Sequence, residues 1–275
     1  MTTNGYQLLS VPEPVQKIIH VHISEKELGK IYFPALAVHA GPKAFSKALL
    51  SAVGEWGEWR KKLRSAYEAE FNIPMQPSPV DMGAVMAYLR DYLPDDVILT
   101  NGAGNFTVWP GKFFKFGSKA RLLGPQSGAM GYGIPAAIAA KVSQPTRTVI
   151  CFAGDGDFQM NLQELGTAMQ HNAQPIILVL NNGIYGTIRA HQERNYPARE
   201  SGTTIDNPDF VMLSRAYRFY AERVDSTDAF PEAFQRALGS DTGAVLELRL
   251  SQEALSPRVT LSQMREIGLN KSIHS

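Results

Sequence analysis

The amino-acid sequence predicts an α/β protein: a doubly wound, mostly parallel sheet with helices on both faces. From about residue 80 to Leu250, apolar runs of strand length alternate with stretches of helical pattern, the order that builds parallel sheets through helical crossovers. The runs RTVICFAG and PIILVLNN are apolar almost throughout rather than alternating, as strands buried on both faces must be. Each ends in a turn rich in Gly, Asp or Asn, and the carboxyl ends of parallel strands are where such sheets bind ligands.

In chain order, QKIIHVHIS (Gln16 to Ser24) reads as a short strand that passes at Ser24 into a capped helical turn over EKELGK. His20 and His22 share one face of that strand; with no third ligand nearby they read as a half-exposed pair rather than a metal site. PKAFSKALLSAV and GEWRKKLRSAYEAEF read as helices, and the proline-broken MQPSPVDM as a linker, which places a boundary near Met75 to Pro79. Helix MGAVMAYLRDYL, strand DVILTNG, a helix around FTVWPGKFF, strand ARLLG and helix GIPAAIAAKV come next. Strand RTVICFAG then leads to a helix beginning near Phe158 (FQMNLQELGTAMQHN) and to strand PIILVLNN. Helix PDFVMLSRAYR, strand FYAERV, helix DAFPEAFQRALG and strand GAVLELRL complete the alternation. From Ser251 the tail has no strong pattern, and the chain has no internal repeat or low-complexity tract.

The 275 residues include 27 basic and 26 acidic ones, a formal net charge of +1 with the basic residues scattered. Nothing here makes an electrostatic case for nucleic acid or an anionic membrane. The single cysteine, Cys151, lies inside the apolar run TVICFAG and reads as a small buried hydrophobe. No disulfide framework is possible, which suits a reducing compartment. MTTNGYQLLSVPEPVQ lacks the parts of a signal peptide, and no apolar run approaches the ~18 residues of a membrane span. The expectation is a cytoplasmic protein with no nucleic-acid or membrane partner.

Chemistry is expected at AGDGDFQMNLQEL (Ala153 to Leu165) and VLNNGIYG (Val179 to Gly186). Backbone amides at the helix start after GDGD favour an anionic group such as phosphate, and glycines at 154 and 156 let the main chain approach closely. Asp155 and Asp157 would repel a bare phosphate, so a divalent cation between carboxylate and phosphate resolves the conflict. About two dozen residues separate Gly156 from Asn181, the length of one right-handed crossover. If the two strands are neighbours, Asp155 and Asn182 reach one ion, and a main-chain carbonyl of the NNGIYG turn, two diphosphate oxygens and a water complete the octahedron that magnesium favours. Either turn alone is an ordinary turn former; their joint occurrence at successive strand ends is the specific signal. GxGxxG and GxxxxGK[ST] are both absent.

GDG followed after about two dozen residues by NN resembles the cofactor motif of thiamine diphosphate enzymes. SGAMGYGIPAAIAA (Ser127 to Ala140), ELGTAM and LNNGIYGTIRAHQE agree in order with the acetohydroxyacid (acetolactate) synthase and pyruvate oxidase branch. The likeness covers roughly residues 80 to 250. It implies the thiamine diphosphate-binding fold, with Asp155, Asn182 and the Ile184 carbonyl as Mg2+ ligands and Gly154, Gly156, Asp157 and Tyr185 around the diphosphate. It places Met130 under the thiazolium ring, bending the cofactor, and offers the Gly128 carbonyl to its amino group. Asn105 and Phe106 align with a loop touching the diphosphate, although relatives often carry a histidine where Phe106 stands. His171 reads as a helix-end residue. His191 stands near a tryptophan that acetohydroxyacid synthases use in choosing the acceptor, which sets branched-chain amino-acid synthesis in question.

The resemblance further implies that residues 1–75 are a short remnant of a middle domain plus a helical linker, 76–255 the diphosphate- and Mg-binding domain, and 256–275 a C-terminal tail. The glutamate that activates the cofactor belongs, in that family, to a pyrimidine-binding domain on a partner subunit; Glu164 matches a different position and cannot replace it. No catalytic residue is therefore assigned within the chain. The implied function is the cofactor-binding half of a carboligase or decarboxylase of 2-oxo acids, nearly inactive alone, in a homo-oligomer or a hetero-oligomer with a chain bearing that domain. A non-catalytic assembly partner of a full-length relative is the other reading. FAD has no support in these segments.

Overall fold

The computed structural model describes residues 9–50, 52 and 54–273, with no side-chain description for 271–273. Residues 1–8, on which part of the leader reading rests, residues 51 and 53 at the end of PKAFSKALLSAV, and the last two of the tail lie outside the described residues. The chain forms two compact units, Met1–Ser65 and Ala66–Ser275, so the boundary expected near residues 75–79 falls inside the second.

In the first unit, β1 (Ile19–His22) and β2 (Leu36–His39) pair in parallel with Ile19 opposite Leu36, and neither strand contains a buried residue. Helix α1 spans Pro42–Leu49 and α2 begins at Gly57, running to Ala69. The helical turn after β1 forms as a single 3-10 turn, Glu25–Glu27, but Ser24 makes no side-chain cap. Instead the Ser24 amide donates to His22 Nδ1 at 3.0 Å, which ties the start of the turn back to the end of β1.

The second unit is a six-stranded, all-parallel sheet in the order β4-β3-β5-β6-β8-β7. Its strands are β3 (Ile98–Asn101), β4 (Arg121–Leu123), β5 (Val149–Gly154), β6 (Ile176–Asn181), β7 (Tyr220–Val224) and β8 (Ala244–Arg249). The helices are α3 (Met82–Tyr92), α4 (Val108–Phe113), α5 (Gly133–Ser143), α6 (Asp155–Asn161), α7 (Glu164–Gln170), α8 (Gly186–Asn195), α9 (Phe210–Ala216), α10 (Phe230–Leu238) and α11 (Leu261–Ile273). The fold class read from the sequence is thus the one observed.

The continuous apolar strands follow from two covered faces. On one face Ile150, Phe152, Leu178 and Leu246 meet Met86 and Leu89 of α3, Phe113 of α4 and Phe234 of α10. On the other Cys151, Ala153, Ile177 and Val179 meet Ile134 and Ile138 of α5, Leu165 of α7 and Phe210 of α9. Successive residues of one strand serve opposite layers, and each large buried side chain contributes about 1.5–3 kcal/mol. Asp81 and Asp209 cap α3 and α9, accepting from Gly83 N at 2.7 Å and Met212 N at 2.8 Å. Two expectations are corrected. The helix after GDG starts at Asp155, not near Phe158, and breaks at Leu162–Gln163. The patternless tail contains α11, whose weak periodicity hid a 13-residue helix.

Candidate functional site

The strand order reverses between β3 and β5: from β3 the chain goes outward to β4, then returns to the other side of β3 for β5 and β6. Open α/β sheets bind ligands in the crevice beyond such a switch point. A cavity of about 270 Å³ lies there, and Asn105, Phe106, Gly128, Met130, Gly154, Asp155, Gly156, Asp157, Asn182, Ile184 and Tyr185 all line it. The structure therefore brings every sequence-predicted site residue to one place.

Gly154 at the end of β5 pairs with Leu180 of β6, so Asp155 and Asn182 leave directly adjacent strands. Asp155 is 3% exposed. Its Oδ1 accepts from Gly156 N at 2.9 Å, and its Oδ2 from Gly183 N at 2.7 Å and Asn207 Nδ2 at 2.8 Å. Gly183 has a φ of +69°, the left-handed conformation that glycine adopts without steric cost. Desolvation pushes the pKa of Asp155 upward against these neutral donors, and no cation pairs with it among the described residues. The Gly156 amide, implied as a diphosphate donor, is here directed to Asp155.

Asp157 faces the other neighbours of the crevice. Its Oδ1 accepts from Ala103 N at 3.0 Å and Gly131 N at 2.8 Å, joining the loop after β3 to the loop before α5. Its Oδ2 is buried without a hydrogen-bond partner, and burial pushes its pKa up to about 6. A Cβ at Gly102 would sit 1.9 Å from Asp157 Oδ1, so only glycine lets this carboxylate reach both amides.

The NNGIYG turn is held from outside. Tyr185 N donates to Thr203 O at 2.8 Å and Ile205 N to Gly183 O at 2.9 Å, flanking an antiparallel bridge between Ile184 and Thr204. Arg189, buried on α8, donates Nε to Thr203 Oγ1 at 2.6 Å and pairs with Glu200, which anchors that bridging segment. Asn182 Oδ1 accepts from Ile184 N at 3.2 Å and retains a second lone pair. Side-chain oxygen donors lining the cavity include the carboxylates of Asp155 and Asp157 and the amides of Asn105 and Asn182. Among the described residues no group of three or more His, Cys, Asp or Glu is placed to hold a metal ion.

Several lining residues were not among those expected from the sequence. Thr187 and Ile188 lie in the first turn of α8, and Leu250, Ala254 and Leu255 come from the segment after β8. Thr187 Oγ1 donates to Asn105 Oδ1 at 2.9 Å across the cavity. A signal existed for Thr187 and Ile188, since they continue NNGIYG; none existed for Leu255, whose side chain would meet a Cβ at Gly186 at 2.7 Å. His191 is exposed on α8 and His171 is exposed beyond α7; neither lines the cavity. Glu164 also lies outside it, accepting from Thr167 Oγ1 at 2.7 Å.

Residues 102–248 match the family described as thiamine pyrophosphate enzyme, C-terminal TPP binding domain. The chain belongs to the thiamine pyrophosphate enzymes. Among curated proteins it is similar to the acetolactate synthase isozyme 2 large subunit of Escherichia coli (strain K12), 28% identical over 243 residues covering 87% of this chain and 44% of that protein. It is likewise similar to the acetolactate synthase large subunit of Cyanidium caldarium, 29% identical over 94% of this chain and 46% of that one. The probable acetolactate synthase large subunit of Methanococcus aeolicus is 27% identical over 90% and 44%. The chain thus corresponds to the TPP-binding domain of acetolactate synthase-like enzymes and spans less than half the length of these relatives. Among the described residues no helix is long and apolar enough to cross a membrane.

Proposed function

We propose that this cavity holds the diphosphate end of thiamine diphosphate through Mg2+, and that the chain is the cofactor-binding half of a carboligase or decarboxylase acting on 2-oxo acids. The observation that carries the reading is Asp155: a buried carboxylate lining a cavity at a sheet switch point, with no basic side chain paired with it among the described residues. A divalent ion supplies the missing charge, and hard oxygen donors suit magnesium. Asp155, Asn182 and the Ile184 carbonyl would hold the ion, with Asn105, Phe106, Gly154, Gly156, Asp157 and Tyr185 around the diphosphate. Gly128 lines the cavity with a φ of +68°, a backbone conformation that favours glycine, and in this reading its carbonyl accepts from the cofactor's amino group. Met130, partly buried in the wall, would support the bent cofactor.

When bound, thiamine diphosphate supplies a carbon nucleophile and an electron sink for loss of carbon dioxide from a 2-oxo acid. The share of this chain is to bind, to bend and to exclude water. No glutamate lines the cavity, and its 270 Å³ falls just short of the roughly 300 Å³ at which small-molecule pockets begin. The small volume supports a site completed by a further domain; in this reading that is a pyrimidine-binding domain bearing the activating glutamate, on a second copy or a partner chain. In the same reading residues 1–75 are the remnant of a middle domain plus a helical linker, and the protein works in the cytoplasm.

Calorimetry with thiamine diphosphate, with and without Mg2+, tests the proposal. The native chain is expected to bind only with the metal and to turn over almost no pyruvate. Absence of binding, or equal binding by Asp155→Ala, would overturn the site assignment; rapid pyruvate turnover by the chain alone would overturn the need for an outside glutamate.

A further inference from the structure

The two turns under the cavity meet on a side chain that belongs to neither. Asn207 lies just ahead of α9 in a segment with no recognisable motif. Its Nδ2 donates to Asp155 Oδ2 at 2.8 Å and to Asn181 Oδ1 at 3.0 Å, while its Oδ1 accepts from Gln159 Nε2 at 2.9 Å. One amide therefore grips the first residue of α6, the end of β6 and, through Gln159, the next turn of α6. Its orientation is determined: flipped, Oδ1 would face the acceptor oxygens of Asp155 and Asn181. Asn181 is tied down in turn, its Nδ2 donating to Glu247 Oε1 at 2.8 Å, and buried Glu247 accepts from Arg223 Nε at 3.0 Å.

We propose that Asn207 is a positioning residue for Asp155. Together with the Gly183 amide it takes both lone pairs of Oδ2, which fixes the rotation of the carboxylate and leaves the second lone pair of Oδ1, whose first accepts from Gly156 N, for a cation. By holding Asn181 with the same amide group, it sets the spacing between the GDGD and NNGIYG turns, so that Asp155 and Asn182 face one cation. Groups that orient a metal-binding carboxylate from behind act on affinity rather than on the donor set. The inference rests on the reading of Asp155 as a Mg2+ ligand. A mere tie between the segment before α9 and the sheet would use the same hydrogen bonds but would have no bearing on the metal.

The experiment uses the whole chain. Mg2+ is titrated calorimetrically at saturating thiamine diphosphate, and the thermal midpoint of each variant is recorded without metal. Asn207→Ala is expected to raise the Mg2+ concentration for half-saturation by about 10- to 100-fold. Gln159→Ala, which leaves Asn207 in place but frees its Oδ1, should shift it less and in the same direction; it also keeps the test decisive if Asn207→Ala does not fold. Should the folded variants lose thermal stability yet keep the native Mg2+ dependence, Asn207 is only a structural tie and the inference fails while the site assignment stands. Should Asp155→Ala itself leave the Mg2+ dependence unchanged, the site assignment fails and the inference with it.

Discussion

The crevice at the sheet switch point and the seam between α8 and α11 both bury carboxylates, but they surround them differently. At the seam Glu193 accepts from Arg265 Nε at 2.8 Å and Nη2 at 2.6 Å and from Ala198 N at 3.0 Å. The guanidinium holds its pKa below the usual carboxylate range. In the crevice Asp155 and Asp157 are about as buried but meet only neutral donors, and desolvation pushes both upward. Burying a charge without a counter-charge is costly, and folds tolerate that cost mainly where the group has work to do. Within the crevice the two aspartates divide the task. Asp155 faces the β6 side through Gly183 and Asn207, whereas Asp157 staples the loops on the β3 side.

This division predicts opposite losses. Asp155→Asn keeps the size and one acceptor but removes the charge, so Mg2+-dependent thiamine diphosphate binding should fall by more than about 100-fold, some 2.7 kcal/mol, with little change in urea stability. Asp157→Ala leaves the Ala103 and Gly131 amides without an acceptor and should cost about 2–4 kcal/mol in urea denaturation, while the surviving folded protein still responds to Mg2+. If the metal response followed Asp157 and not Asp155, the assigned roles would be reversed. Gly102→Ala should cost less, about 2 kcal/mol, because the carboxylate it strikes can rotate away. Added to Asp157→Ala it should cost almost nothing more, since its target is gone.

The same contrast explains what the sequence disclosed. GDGD and NNGIYG were legible because each is a local pattern at the end of an uninterrupted apolar strand, and pairing of β5 with β6 then fixes their proximity. The alternation of strands and helices likewise gave the sheet. Asn207 and Gly102 were not legible, because their importance lies in contacts across long stretches of chain: Asn207 is 52 residues from Asp155. The start of α6 was misplaced because glycines and aspartates are poor helix formers in isolation, whereas here the strand end and the carboxylate contacts hold them. α11 was missed because its apolar residues have almost no 3.6-residue periodicity, and its docking on α8 depends on Gly268, where a Cβ would lie 2.3 Å from the Glu193 carbonyl.

That docking yields the smallest of the expected effects, and it tests the other side of the comparison. Glu193→Gln preserves the shape and an acceptor for Ala198 but removes the charge facing Arg265, whose side chain is 39% exposed and so partly screened. A loss of about 1 kcal/mol at pH 7 is expected, read as a lower thermal midpoint. The pH dependence fixes its origin. The pKa of Glu193 is depressed in the folded state, so its contribution is present above the ordinary value of 4.5 and is lost as pH falls through the folded value. The gap between native and Glu193→Gln proteins should therefore be constant from pH 5.5 to 7 and close under acid conditions. A gap that persisted undiminished in acid would mean that Glu193 stabilises the seam through packing alone, and the contrast with the crevice would lose its electrostatic basis.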